Sequence, residues 1–268
     1  MTDEILLSDE EFTIELFCRV DDQMLDASKH SQANLAPSEV VTLALLFSLK
    51  GRGNRAFYRW VCKNLKHLFP ALPDRTRLFR QFTTHRQWVT RFMAKPSLIG
   101  VVDSYGIELI HPRREGRSPR QIGRKGLSNK RWIVGGKLCL LLNHLGQVVD
   151  WDVATANVHD GSAFQHVVDG VADQMVVFAD RGFAKKDWQP SNLKLCNKGE
   201  WNDRMIVETV LSMLTVVCHF KKVGHRTWQA FKSRVGWTMA LFNILTSWNG
   251  LKPDEDGFVA LSIANFSL

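Results

Sequence analysis

Three acidic residues carry the clearest chemical signal in this sequence, because of the segments that surround them. Asp103 lies in LIGVVDSYG, Asp180 in MVVFADRGF and Glu208 in WNDRMIVETVLSML. Each aspartate ends a short apolar run that is typical of a buried strand, whereas the glutamate lies in a segment typical of a helix. This pattern can gather three carboxylates at one edge of a sheet. Clustered carboxylates repel one another, so they are stable together mainly when they are protonated or bind cations.

A carboxylate cluster of this kind is suited to divalent metal chemistry. Hard oxygen ligands that leave water molecules on the ion favour Mg²⁺. Two such ions about 3.5–4 Å apart can activate a water molecule and stabilise a leaving oxygen during phosphodiester cleavage. Phosphoryl transfer relies mostly on positioning and charge neutralisation, so this chemistry requires no serine or tyrosine nucleophile.

Each of these residues also has a purely structural interpretation. Asp103 and Asp180 each precede a short turn-forming sequence, and Glu208 can simply pair with Arg204 one helical turn before it. Glu208 is nevertheless followed by the apolar TVLSMLTVV, so we expect it near a buried edge, paired or metal-bound. Asp160 in NVHDG is interpreted as a helix cap rather than as a ligand.

The composition indicates a globular protein with a polyanionic partner. The chain has 268 residues, of which 45% are hydrophobic, and its formal net charge is +8 with a pI of about 9.4. No run approaches the roughly 18 apolar residues of a membrane span, and the acidic N-terminus lacks the order of a signal peptide. The five cysteines are scattered and form no CxxC pair, so we expect reduced, mostly buried thiols in a cytoplasmic protein.

Positive charge is concentrated in two segments of the chain. Residues 1–30 have a net charge of −7, whereas residues 50–96 have +11 and residues 111–131 have +7. The glycines within residues 113–131 favour a flexible arm that follows DNA phosphates over a merely solvated loop. The candidate DNA-binding residues of this arm are Arg113, Arg114, Arg117, Arg120, Arg124, Lys125, Lys130 and Arg131.

The first 95 residues are predicted to be helical. Ser8 and Glu11 form a capping-box sequence that begins a helix through about Leu25, and Pro37 begins a second helix that ends at Gly51. Further helices are predicted from Arg55 to Leu68 and from Asp74 to Met93. These segments resemble a small helical bundle with basic faces, in which a helix-turn-helix is possible.

From residue 98 onward, strand patterns alternate with helix patterns. Strands are predicted over 98–110, 132–143, 147–156, 175–180 and 192–197, with residues 113–131 as a loop. Helices are predicted over 157–171, from a cap at Asn202 or Asp203 to about Phe220, and over 226–249. The order is therefore three strands, a helix, two strands and a helix, followed by the final helix.

The sequence resembles a known protein family. The strand order resembles the RNase H-like core, and FADRGF and WNDRMIVETVLSML look like the second and third catalytic blocks of DDE transposases from bacterial insertion sequences. The segment GGKLCLLLNHLGQVVDWDVATANVHDG is similar to the block between the first two aspartates, and LFPALPDRTRLFRQF extends the resemblance toward the N-terminus. The resemblance implies an α/β fold with an RNase H-like mixed five-stranded sheet flanked by helices, preceded by a small all-helical domain. The domains expected are residues 1–95, helical and DNA-binding, residues 96–250, catalytic, and residues 251–268, a C-terminal tail.

The resemblance also implies roles for individual residues. Asp103, Asp180 and Glu208 would be the catalytic triad that binds two Mg²⁺ ions, or Mn²⁺ in their place. Arg204 matches the arginine of the family's Tyr-x-x-Arg-x-x-x-Glu signature, and it would orient the glutamate or contact a DNA phosphate.

The sequence departs from the family pattern at several positions. Trp201 replaces the tyrosine of the signature, and Thr215 replaces a lysine, for which Lys221 and Lys222 would substitute. The 28-residue separation between Asp180 and Glu208 leaves no room for an insertion domain.

The function implied is that of a transposase. It would bind the terminal inverted repeats of its insertion sequence and catalyse metal-dependent DNA strand cleavage and strand transfer. Its partners would be double-stranded DNA at the element ends and target, and a second copy of the chain in a homodimer, with no membrane and a nucleoid-associated location. Two alternatives stay open, namely an RNase H-like DNA nuclease without strand transfer and a catalytically inactive DNA-binding protein.

Overall fold

A computed structural model describes residues 7–128, 131–197, 204–220, 224–251 and 261–266, with the backbone alone for Arg204 and Met205. The α-helices in these residues are α1 Asp9–Asp22, α2 Pro37–Lys50, α3 Asn54–Asn64, α4 Arg75–Thr84, α5 Asp160–Ala163, α6 Gln165–Asp169, α7 Arg204–Val216 and α8 Trp228–Trp248. The strands are β1 Ile99–Ile110, β2 Arg124–Ser128, β3 Arg131–Asn143, β4 Val148–Thr155, β5 Val176–Asp180 and β6 Leu193–Cys196.

These strands form one mixed sheet, in which β1 is central. β1 pairs antiparallel with β3 on one side and parallel with β5 on the other, and β5 pairs parallel with β6. Along the outer edge of β3, β2 pairs with residues 131–135 and β4 with residues 136–142, both antiparallel. A mixed sheet flanked by helices, after a helical N-terminal region, confirms the α/β prediction and is consistent with an RNase H-like fold.

The sheet has a sixth strand in a segment for which the sequence predicts a loop. The predicted loop over residues 113–131 contains β2, so the prediction of an entirely flexible arm is wrong over residues 124–128. A short, basic strand on a sheet edge lacks the apolar alternation that identifies a strand from sequence. Gly126 permits the close packing, because a Cβ there would lie 1.9 Å from the carbonyl oxygen of Ala156.

Helix beginnings match the predictions better than helix ends do. The capping box of Ser8 and Glu11 is present, and the Asp74 side chain caps α4. The helix predicted to reach Met93, however, ends at Thr84 and is followed by a 3-10 helix, His85–Phe92. A 3-10 helix aligns residues three apart, and here it buries Val89 and Phe92 together.

Three other predicted helices are shorter than expected. The one over 55–68 ends at Asn64, and the one over 157–171 divides into α5 and α6 at Phe164, a fully buried residue. The one predicted to reach Phe220 ends at Val216, shortly before His219 adopts a positive φ of 49°. Its predicted cap at Asn202 or Asp203 lies outside the described residues.

Two apolar clusters cover opposite faces of the sheet. Successive residues of β1 belong to different clusters, Val101 to the larger and Val102 to the smaller, as expected for side chains that alternate across a sheet. The larger cluster joins α1 to α4 with α7, α8 and one face of the sheet, whereas the smaller one packs α6 against the other face. The helical region thus shares a core with the sheet, and the domain boundary at residue 95 stays a prediction.

Asn243 connects α8 to both the sheet and the N-terminal region through hydrogen bonds. Its Oδ1 accepts a hydrogen bond from the backbone N–H of Val148 at 2.8 Å, and its Nδ2 donates to the carbonyl oxygens of Val148 and Phe92 at 2.7 and 2.9 Å. Asn243 is only 4% exposed. Because buried backbone groups must be hydrogen-bonded, this amide sets the position of α8 relative to β4.

Replacing Asn243 with leucine is therefore expected to destabilise the protein. Asn243→Leu leaves the buried Val148 N–H and Phe92 carbonyl without this partner, at a cost of about 2–5 kcal/mol in the free energy of unfolding. The matched control is Ser247→Ala, one turn later on α8, which removes an exposed hydrogen bond from Gln147. Urea denaturation compares the two variants, and an equal effect would contradict the role of Asn243.

Candidate active site

The sheet brings Asp103 and Asp180 to the same level on neighbouring strands. β1 and β5 run parallel, and their register pairs Ile99 with Val176 and Val101 with Phe178. Continuing this register by two residues places Asp103 beside Asp180. The two aspartates therefore have matching positions in the register of neighbouring strands, although they are 77 positions apart along the chain.

Both aspartates belong to the sheet face on which α7 packs. Because side chains alternate along a strand, Asp103 of β1 is on the same face as Val101, which belongs to the larger cluster. Ala179 of β5 belongs to the smaller cluster, so the next residue, Asp180, is on the face of the larger cluster. The larger cluster also contains Val207 and Val210 of α7. The two half-buried carboxylates thus lie at the margin of the core beneath α7.

Local hydrogen bonds orient the two carboxylates. Oδ1 of Asp103 accepts from the backbone N–H of Ser104 at 2.7 Å, and Oδ1 of Asp180 accepts from the backbone N–H of Gly182 at 2.8 Å. Asp180 thereby caps a short 3-10 turn, Arg181–Phe183. The turn-forming role that the sequence allowed for Asp180 is present, and it fixes the side chain at the end of β5.

Glu208 occupies a different environment from the two aspartates. It lies on α7 beside the buried Val207, but its own side chain is exposed, in contrast to the expectation of a charge held at a buried edge. Within the described residues, no group of three His, Cys, Asp or Glu side chains is close enough to hold a metal ion. The structure therefore brings two members of the predicted triad together, and the role of Glu208 stays a prediction.

Several predicted contact residues cannot be placed. Lys130, Lys221 and Lys222 lie outside the described residues, as does Trp201, and the Arg204 side chain is not described. Their assignments as DNA-binding residues stay predictions.

The described basic residues of the arm are all exposed to solvent. They are Arg113, Arg114, Arg117, Arg120, Arg124, Lys125 and Arg131. Two of them form exposed ion pairs, Lys125 with Glu115 at 3.2 Å and Arg131 with Glu108 at 2.5 Å. Trp132 is 59% exposed, and the ammonium of Lys125 lies 5.8 Å from the centre of its ring. An exposed surface of this composition is suited to contacts with a phosphate backbone.

A third aspartate, Asp160, lies behind the pair and was misassigned from sequence. Its Oδ2 accepts a hydrogen bond from the Ser104 hydroxyl at 2.7 Å, and its Oδ1 accepts one from the Lys137 ammonium at 2.8 Å. The interpretation of Asp160 as a helix cap is wrong, because the N-cap of α5 is His159. The missed signal was Lys137 itself, a lone charge in the apolar strand GGKLCLLLN that must have a partner if it is buried.

The ion pair of Lys137 and Asp160 connects the segments that carry the two catalytic candidates. Ser104, which donates to Asp160, directly follows Asp103 in β1. Gly182 lies between the carboxylates of Asp180 and Asp160. A Cβ at Gly182 would lie 2.8 Å from Oδ1 of Asp180 and 3.5 Å from Oδ2 of Asp160. A residue larger than glycine at this position would therefore displace the carboxylate of Asp180.

The sheet interior next to this ion pair is apolar but surrounded by negative charge. Cys139 of β3 is fully buried, and burial raises the pKa of its thiol well above the ordinary value, with a further contribution from the carboxylates of Asp160, Asp150 and Asp103. The thiol therefore remains protonated at neutral pH, and a protonated thiol is a poor nucleophile. Of the five cysteines only Cys139 and Cys218 are buried, so the prediction of mostly buried thiols is wrong.

Residues 93–194 match the family model described as the transposase DDE domain. On a mixed sheet of this arrangement, the match supports a transposase DDE domain within these residues. The matched span includes Asp103 and Asp180 and ends before α7. A transposase domain implies a DNA substrate, and domains of this class generally use divalent metal ions.

No curated protein and no solved structure showed significant similarity to the chain. In the part of the chain that the structure describes, no helix combines the length and the apolar character needed to cross a bilayer.

The ion pair behind the site generates a stability prediction. Lys137 and Asp160 are 13% and 15% exposed, so Lys137→Met leaves a mostly buried carboxylate without its counter-ion, at an expected cost of about 3 kcal/mol or more. Lys137→Met combined with Asp160→Asn should recover part of this loss, because no unpaired charge remains.

Urea denaturation of the single and double variants measures the effect. The control is Lys125→Met, which breaks the exposed pair with Glu115 and should cost less than about 1 kcal/mol. Equal losses for Lys137→Met and Lys125→Met would contradict the importance of the buried pair.

Proposed function

We propose that this protein binds the terminal inverted repeats of a bacterial insertion sequence and catalyses metal-dependent DNA cleavage and strand transfer. The observation that carries the proposal is the register of two neighbouring parallel strands, in which Asp103 and Asp180 have matching positions within the residues that match the transposase DDE domain. The net charge of +8 supports a polyanionic partner.

The donor set of the site fits a divalent cation. Asp103 and Asp180 offer carboxylate oxygens from two strands, and Mg²⁺ binds through one or two carboxylates together with substrate phosphates. Glu208 of α7 is the third proposed ligand. When bound, two Mg²⁺ or Mn²⁺ ions supply Lewis-acid stabilisation of the phosphoryl oxygens and an activated water molecule.

The covalent steps need no nucleophile from the protein. Water breaks a phosphodiester bond at the element end and leaves a 3′-hydroxyl. That hydroxyl then attacks a target phosphodiester, forming one new phosphorus–oxygen bond while one bond in the target breaks, so the number of phosphodiester bonds is unchanged. The protein must hold both DNA segments in line for this exchange, which is the main source of catalysis in phosphoryl transfer.

Positioning of the DNA is assigned to the exposed basic side chains of the arm. The exposed arginines and Lys125 on and around β2 would neutralise backbone phosphates, and Arg204, Lys130, Lys221 and Lys222 are proposed to add to them. Because two element ends must be held together, we expect a homodimer on DNA. A nucleoid-associated location would follow from binding to DNA.

A specific observation keeps a second candidate function in view. The described residues contain no preformed group of three metal ligands, and Glu208 is exposed. An inactive DNA-binding protein would need no such group. A nuclease without strand transfer would need the same carboxylates as the transposase, so only the reaction products distinguish these two.

The first test compares cleavage and joining in matched variants. Asp180→Asn should abolish both activities on labelled DNA that carries the element end with Mg²⁺, by at least about 10²–10³-fold, the scale for loss of one electrostatic stabiliser. Asp173→Asn is the control, because Asp173 is an exposed aspartate shortly before β5, the strand that ends at Asp180.

Each outcome of that assay selects one function. Cleavage and joining that disappear only in Asp180→Asn would support the transposase. Cleavage without joining would identify a nuclease, and DNA binding without cleavage by the wild type would identify a DNA-binding protein. Equal activity in wild type and Asp180→Asn would refute the role of Asp180.

A second test addresses Glu208 as a metal ligand without relying on activity. The loss of the EPR signal of free Mn²⁺ measures binding of this ion to the protein–DNA complex. Glu208→Gln should weaken this binding about as much as Asp103→Asn does. Ser212→Ala, an exposed position one turn later on α7, should bind Mn²⁺ as the wild type does. Unchanged Mn²⁺ binding in Glu208→Gln would remove Glu208 from the ligand set.

A further inference from the structure

A second basic site lies in a cavity far along the chain from the aspartate pair. The cavity has a volume of about 780 Å³ and forms where the turn between α2 and α3 meets the beginning of α8. Among the described residues its lining includes three arginines and no acidic side chain, and its polar residues include Arg52, Asn54, His225, Arg226 and Arg234. This volume lies within the range of about 300–1,000 Å³ that is usual for ligand sites.

Arg234 supplies a buried positive charge at the base of this cavity. Arg234 is 7% exposed. Its guanidinium donates hydrogen bonds to the carbonyl oxygens of Phe47, Ser48 and Cys218 at 2.7, 2.8 and 3.1 Å. Two of these carbonyls belong to the last turn of α2, whose dipole favours a cation. These partners are neutral, and no ion pair joins Arg234 to a carboxylate among the described residues.

At pH 7 the cavity is positively charged, because Arg234 is protonated whereas His225 is neutral. Burial lowers the pKa of Arg234 to about 10, so it is charged at pH 7. Burial, followed by the nearby charge of Arg234, lowers the pKa of His225 to about 4, so this ring is neutral at pH 7. His225 therefore offers a hydrogen-bonding group, whereas Arg52, Arg226 and Arg234 supply the charge.

The backbone of the Gly51–Gly53 turn also favours an anion. Gly53 is the N-cap of α3, and no side chain caps the first N–H groups of this helix. Open space surrounds the position of a Cβ at Gly53, whereas a Cβ at Gly51 would lie 2.4 Å from the His219 side chain. The turn is thus held on one side by His219 and open on the other, and the positive end of the α3 dipole adds to the three arginines.

We propose that this cavity binds a phosphate of the DNA backbone, with Arg52 and Arg226 at its mouth and Arg234 at its base. The inference rests on the proposed function, because it takes DNA to be the partner. It adds a phosphate-binding position between the N-terminal helices and α8, separate from the aspartate pair and from the basic arm. The same chemistry would accept a free phosphate group, and the experiment distinguishes the two sources.

The test uses the two exposed arginines, because Arg234 also holds α2 and its loss would disturb the fold. Arg52→Gln with Arg226→Gln removes two charges at the mouth of the cavity. Arg55→Gln with Arg59→Gln is the control, since it removes two exposed charges from neighbouring α3 positions outside the lining. Urea denaturation should give all three proteins the same unfolding midpoint.

Binding of a labelled DNA duplex to the full chain is measured by fluorescence anisotropy over a series of NaCl concentrations. The cavity variant should show a slope of log K against log salt that is smaller in magnitude by about 0.9 for each DNA phosphate that the protein no longer neutralises. Its affinity at low salt should fall about tenfold. The control should keep a slope closer to that of the wild type.

The outcomes separate failure of the cavity from failure of the transposase proposal. Equal slopes for the cavity and control variants would overturn the cavity, even if the wild type cleaves DNA. Failure of the wild type to bind DNA would overturn both proposals. In a parallel arm, inorganic phosphate at millimolar concentration is titrated by NMR. Saturable binding that needs Arg52 and Arg226, without any effect on the DNA slope, would assign the cavity to free phosphate and refute the DNA contact.

Discussion

The parallel pairing of β1 with β5 is the constraint on which the candidate site depends. Because side chains alternate across a strand, a slip of one residue would move Asp180 to the opposite face of the sheet from Asp103. The register is held by buried apolar residues, because β1 contributes Val101 to the larger cluster and Val102 to the smaller, in which Val177 and Ala179 of β5 also lie. Core packing thus determines the relative position of two charged residues that cannot attract each other.

The antiparallel side of β1 stabilises the same arrangement from behind. β3 carries Lys137, and α5 begins at Asp160, so their ion pair and the hydrogen bond from Ser104 tie β3 and α5 to the residue that follows Asp103 in β1. Such a pair costs desolvation energy, and its value lies in geometry more than in net stability. A phosphoryl-transfer site benefits from this, because its catalysis depends on fixed positions.

The sequence predicts the parts of the structure that depend on neighbouring residues. The caps at Ser8 and Asp74 involve partners three residues away. The aspartates also follow from local apolar runs, although Asp103 lies inside β1 and only Asp180 ends its strand. Asp160 was misassigned because its partners are 23 and 56 residues away, and nothing local distinguishes it from a capping residue. β2 was missed for a similar reason, since its strand conformation is imposed by pairing with β3 rather than by its own basic sequence. The position of Glu208 on a helix was predictable, but its exposure depends on how α7 packs.

The shared core around α8 has a consequence for how the protein can be divided. Asn243 and Arg234 contact the 3-10 helix and α2 of the N-terminal region, and Phe12 of α1 stacks on Trp248. The N-terminal helices and the sheet should therefore unfold as one cooperative unit. A chimaera that exchanged the first 95 residues with those of a relative would expose both halves of one interface. Evolution of a new DNA specificity in such a chain is consequently easier through surface side chains than through exchange of whole segments.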